Sequence, residues 1–96
     1  MNNIDIKFNI PLFFLKEKKS FIAYSPALDL STSGKSFREA QKRFSEISTI
    51  FFQEIIKKGT IKEVLEGLGW EKVKDKWSPP FLISHTQKDI EIPVYV

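Results

Sequence analysis

The chain has 96 residues, 42% of them hydrophobic and 14% aromatic, so it holds one domain; cores split only near roughly 250–300 residues. It has no cysteine, which excludes a disulfide framework, a thiolate metal site and a thiol nucleophile. The net charge of +3 is mild, with the basic residues spread over the first third and one long helix, a pattern of solvated faces rather than of a nucleic-acid groove. A chain this size buries only about 60–65% of its unfolded surface. Nine Phe and two Trp are therefore a large apolar load, and some are expected to be covered only in an oligomer or complex.

Residues 4–15 alternate. Ile4, Ile6, Phe8, Ile10, Leu12 and Phe14 lie on one side, with Asp5, Lys7 and Asn9 on the other, the period of a half-buried strand. Lys16 to Lys19 form a polar turn, and Phe21 to Ser25 return as the second strand of a hairpin. Pro26 ends that strand because it offers no ladder N–H. Leu28 to Thr32 make a short third strand, followed by a loop at Ser33-Gly34-Lys35.

Ser36-Phe37-Arg38-Glu39 is a capping box, in which the Ser36 hydroxyl takes the Glu39 N–H and the Glu39 carboxylate reaches back to the Ser36 N–H. Phe37, Ala40, Phe44, Ile47, Phe51 and Ile55 then recur at helical spacing as a core-facing stripe. Lys57 and Lys58 suit the negative end of the helix dipole, and Gly59 stops it. Ile50, Phe52 and Ile56 give this helix a second apolar side, for which a neighbouring helix or subunit is expected. Thr60-Ile61-Lys62-Glu63 reads as a second capping box on a short helix through Leu68, with Gly69 as its stop and Trp70 folded back on the last turn. Residues 71–77 look like one polar strand with Val73 and Trp77 facing in. Pro79-Pro80 breaks regular structure. Ile90, Ile92, Val94 and Val96 alternate against Glu91, Pro93 and Tyr95, and Pro93 confines that strand to a sheet edge.

The catalytic readings fall one by one. His85 is the only histidine and has no HxxE or HExxH spacing around it. Ser84 and His85 are adjacent, so in a strand they point to opposite faces and cannot pair as nucleophile and base. Asp5 and Asp29 on neighbouring strands read as surface carboxylates. Gly34-Lys35-Ser36 echoes the end of a phosphate-binding loop, but Asp29 stands where its leading glycine is needed. The phenylalanines are spaced as core rather than as a base-stacking platform. No enzyme, metal or cofactor is expected. No apolar run nears the roughly 18 residues of a membrane span, and no signal peptide is visible; the expected compartment is the cytoplasm.

Residues 21–40 run Phe-Ile-Ala-Tyr-Ser-Pro-Ala-Leu-Asp-Leu-Ser-Thr-Ser-Gly-Lys-Ser-Phe-Arg-Glu-Ala. This resembles the HicB-like antitoxin family in an aromatic-x-Pro-x-Leu strand end, a small-residue strand, a glycine, and a Ser/Thr-x-x-Glu-Ala helix start. Tyr24, Pro26, Leu28, Gly34, Ser36, Glu39 and Ala40 carry the match, and Lys58 to Trp70 is similar to the continuation in stand-alone members. The resemblance covers residues 4–70. It implies a β-β-β-α core and a non-catalytic role: masking a small HicA-like ribonuclease toxin, usually as a dimer or higher oligomer. Many members append a DNA-binding segment, whereas residues 71–96 show no helical pattern. Family antitoxins are commonly acidic, and this chain is not.

The sequence therefore predicts an α+β fold, an antiparallel sheet packed on one long helix, with a short helix and C-terminal strands. It is one domain over 1–96, with a core at about 4–70 and a strand-like extension at 71–96. The predicted partner surface joins Tyr24, Pro26 and Asp29 to Trp77, Pro80, Phe81 and His85, because stiff aromatic and proline residues without core duty suit an interface. The predicted oligomer surface comprises Ile50, Phe52, Ile56, Ile90, Ile92 and Val94. The alternative is an RNA- or DNA-binding regulator that uses the lysine faces, with an affinity that would fall steeply with salt.

Overall fold

A computed structural model describes residues 8–95. Ile4, Asp5, Ile6 and Lys7 of the expected first strand, and Val96 of the expected last one, lie outside the described residues. The fold is α+β. Strands β1 (Phe13–Glu17), β2 (Ser20–Ser25) and β3 (Leu30–Gly34) are followed by helices α1 (Phe37–Lys57) and α2 (Ile61–Gly67) and a small hairpin of β4 (Glu71–Val73) and β5 (Lys76–Ser78). The first three strands form one antiparallel sheet in the order β1-β2-β3, and β4-β5 is a separate two-stranded sheet.

The first strand starts later than its alternation suggests. Residues 8–12 are not in a strand; Pro11 lies among them and cannot donate to a ladder. Lys18, at φ +54°, turns the chain into β2, and Glu17 pairs with Ser20. Residues 26–29 form the next turn, closed by Asp29 at φ +49°, a backbone that Asp tolerates better than most residues. That turn moves β3 two residues beyond its expected start.

The register explains how the helix packs. Phe21 pairs with Gly34, Ala23 with Thr32 and Ser25 with Leu30, so Phe21, Ala23, Ser25 and Gly34 share one face. Three of these four are small, and that lets α1 come close. A Cβ on Gly34 would sit 2.6 Å from the Ala40 backbone nitrogen. Ala23, Ala27, Leu28, Ala40, Phe44, Ile55, Leu65 and Trp70 form the buried core. Phe37 was expected in the core stripe but is half exposed at the helix start, where its ring lies 4.3 Å from Phe14. Phe13, Leu15, Ile22 and Tyr24 occupy the opposite face of the sheet, and Leu15 there is mostly exposed.

Both helix ends follow from local chemistry. The Ser36 Oγ accepts the Glu39 N–H at 3.0 Å, as expected. The Glu39 carboxylate instead accepts the Lys35 N–H at 3.0 Å, one residue before the expected donor. At the far end, Thr60 donates to the Ile55 carbonyl and Gly59 to the Ile56 carbonyl, a Schellman ending with Gly59 at φ +69°. This ending undoes the second capping box. Thr60 is committed to the preceding motif at φ −110°, ψ 16°, not the extended backbone of a cap, and its side chain makes no capping bond. α2 closes in the same way, with Trp70 donating to Leu65, Gly69 to Glu66, and Gly69 at φ +92°.

The stretch 71–77 is a hairpin and not one strand. Lys74 and Asp75 both take positive φ, the conformation of a two-residue type I′ turn. Lys72 pairs with Trp77 and Val73 with Lys76, so Val73 and Trp77 fall on opposite faces. Val73 is exposed, while Trp77 is half-buried against the core. Residues 79–95 have no regular secondary structure. The expected strand at Ile90, Ile92 and Val94 is therefore not formed within the described residues; its alternation is present, but no strand among the described residues pairs with it.

Candidate partner-binding surface

The corner between β2 and β3 is held by two side-chain hydrogen bonds. The Tyr24 hydroxyl donates to the Asp29 Oδ1 at 3.1 Å. The Trp70 indole N–H donates to the Ala27 carbonyl at 2.8 Å, in a buried bond between residues 43 positions apart. Ala27 and Leu28 are buried, while Pro26 and Asp29 stay exposed. Burial of the Tyr24 hydroxyl raises its pKa, and the hydrogen bond to the Asp29 carboxylate and the charge of that carboxylate raise it further. The phenol thus remains a donor through neutral pH.

One cleft adjoins this corner, and a second shares two walls with it. One, of about 250 Å³, is lined by Pro11, Pro26, Ala27, Leu68, Pro80, Phe81 and Leu82. The other, of about 270 Å³, runs along Gly69, Glu71, Val73, Ser78, Pro79, Pro80 and Phe81. Pro80 and Phe81 border both, so they form a ridge between them. Phe81 is 81% exposed, while Pro80 is half-buried at its base. The structure thus brings Pro26, Pro80 and Phe81 together. Trp77 packs on the core and lies under the Lys72 ammonium, 5.8 Å from its ring centre. His85 is exposed in the tail and lines neither cleft. The sequence reading missed Leu68 and Pro11 as cleft walls. The Schellman ending was the available signal for Leu68, since it fixes where that residue sits.

The second apolar side of α1 divides. Ile50 and Ile56 are exposed. Phe52 is taken up within the chain: its ring lies 4.8 Å from Phe8 and 6.1 Å from Trp70, and Phe8 stands edge-on to Trp70 at 5.1 Å. Phe8 and Trp70 thus cover it within the chain. Nearer the start of α1, Arg38, Lys42 and Arg43 share a groove with Glu39 and Glu46. Arg43 is spoken for, at 3.3 Å from Glu39 and donating to the Ser33 carbonyl at 2.9 Å. Such mixed charge is a poor phosphate track.

No three His, Asp or Glu residues cluster among the described residues, and no helix there is long and apolar enough to cross a membrane. No family model, curated protein or solved structure matches the chain.

Proposed function

We propose that the chain is an antitoxin-like protein-binding module that masks a small HicA-like ribonuclease toxin and performs no catalysis of its own. The observation that carries the protein-binding part is the Pro80–Phe81 ridge. An aromatic side chain 81% exposed, raised on a proline between an apolar cleft and a mixed one, suits an interface anchor that loses little entropy on docking. The kind of partner comes from the resemblance. Three of its residues lie at this corner, where Tyr24 bonds Asp29, Pro26 lines the cleft and Leu28 is buried, while Gly34, Ser36, Glu39 and Ala40 seat the start of α1 at the other end of β3.

Co-expression with a HicA-like toxin tests the reading. Growth should recover with the wild-type chain. Phe81→Ala should weaken binding by about 2 kcal/mol or more, roughly 30-fold in Kd, with the melting temperature unchanged. A toxin that stays fully active at every ratio of the two proteins would end the proposal. Binding to RNA that collapses between low and moderate salt would favour the nucleic-acid alternative.

A further inference from the structure

We propose that the cleft between Phe81 and the β4-β5 hairpin is an arginine pocket, which takes the guanidinium of an arginine on the surface of a protein partner. The inference rests on the protein-binding part of the reading above and not on the partner being a toxin.

The walls supply what an arginine side chain needs. The cleft holds about 270 Å³. Among the described residues that line it and the neighbouring cleft, Glu71 is the one with a charge. Glu71 pairs with Ser78 across the hairpin. Carboxylate and hydroxyl therefore stand on one face, with Cβ atoms about 4.5–5.5 Å apart. Both accept hydrogen bonds, and a guanidinium offers a planar fork of N–H donors to such a pair. Val73 shares that face, and Pro79 and Pro80 add apolar wall for the methylene stem of the side chain. Phe81 borders the cleft with an aromatic ring, 81% exposed, on which a cation can stack. An ammonium would use the charge alone, whereas the planar group uses carboxylate, hydroxyl and ring together.

The carboxylate is free for such a guest. Lys72, its neighbour in sequence, lies on the opposite face of the hairpin, with its ammonium 5.8 Å from the centre of the Trp77 ring. Lys76 shares the face of Glu71 but stands opposite Val73. The ion pairs among the described residues join Arg43 to Glu39 and Lys58 to Glu54, and leave Glu71 out.

The pocket is also built before a partner arrives. Trp77 packs on the core and anchors the hairpin. Trp70, next to Glu71, is buried and tied to the Ala27 carbonyl. A Cβ on Gly69 would lie 3.5 Å from the Pro80 Cγ, so the ridge is seated on the glycine that ends α2. Walls fixed in this way lower the ordering cost of docking. On the far side of the ridge the other cleft is lined by apolar residues alone. The two clefts together therefore fit an arginine with an apolar residue beside it, which is a protein surface and not a free small cation.

A blocked peptide with arginine beside leucine, titrated into the isotope-labelled full-length chain, should shift the amide signals of Gly69, Glu71, Ser78 and Phe81. Citrulline in place of the arginine keeps the shape and loses the charge, and should weaken binding about tenfold or more. Glu71→Gln should erase that preference, and Lys76→Gln should keep it. A peptide that shifts none of these signals up to its solubility limit overturns the proposal. So does equal affinity for the arginine and citrulline peptides, or a preference that survives Glu71→Gln. Toxin binding that falls with Phe81→Ala but not with Glu71→Gln ends the arginine pocket and leaves the protein-binding reading. A peptide that meets every expectation beside a toxin that never binds keeps the pocket and ends the toxin.

Discussion

Trp70, Ser25 and Gly34 show three ways in which a single side chain sets the stability of this small core. The Trp70 N–H satisfies a buried carbonyl. Trp70→Phe keeps most of the ring and leaves Ala27 unpaired, and should cost about 1–3 kcal/mol, read as a lower urea midpoint at unchanged slope. Ser25 is the reverse case: its Oγ is fully buried with no hydrogen-bond partner among the described residues. Ser25→Ala should raise stability by about 1 kcal/mol. Gly34→Ala puts a methyl group 2.6 Å from the Ala40 nitrogen, against backbone that cannot swing aside. It should destabilise by about 1–3 kcal/mol or more, with α1 displaced from the sheet. None of the three was legible in the sequence, where Gly34 read as a loop residue rather than as the end of β3. A contact between residues 27 and 70 has no local signature.

The helices were the legible elements, because their ends are written in consecutive residues. Ser36 and Glu39 mark one boundary and Gly59 the other, and both were read within a residue or two. The strands were less legible where a turn lacks glycine. Lys74-Asp75 adopts the hairpin turn without the usual Asn-Gly or Asp-Gly signal, so the hairpin was read as one strand. Thr60 misled for a different reason: two overlapping motifs competed for it, and the C-terminal one won. The α1 cap also titrates. The Glu39 pKa is lowered from 4.5, first by the Lys35 N–H and then by the charges of Arg43, Lys35 and Lys42. A carboxylate lowered on folding adds stability that is present above its unfolded pKa and lost as pH falls through the folded one. Thermal melts of the wild type should therefore lose stability in acid below pH 4.5, and Glu39→Gln should flatten that part of the profile.

At the scale of the molecule, the α+β class followed from the two periods in the sequence, and the partner corner was half visible. Pro26, Pro80 and Phe81 were expected together and do meet. Trp77 was expected to face in from its strand and was also assigned to the partner surface; it packs on the core, from a hairpin made by the turn at Lys74-Asp75. Trp77→Ala should therefore lower the melting temperature by several degrees, at about 4–8 °C per kcal/mol for a domain this size, whereas Phe81→Ala leaves it unmoved. The two tryptophans also sit at different depths, Trp70 at 2% exposure and Trp77 only partly covered. They are the only indoles in the chain, so its emission has two separable parts. A collisional quencher such as iodide should dim the red-shifted Trp77 component at once and reach the blue-shifted Trp70 component only when the core opens. Docking over the hairpin should shield the first and leave the second alone, so binding and unfolding can be followed as different colours without a label.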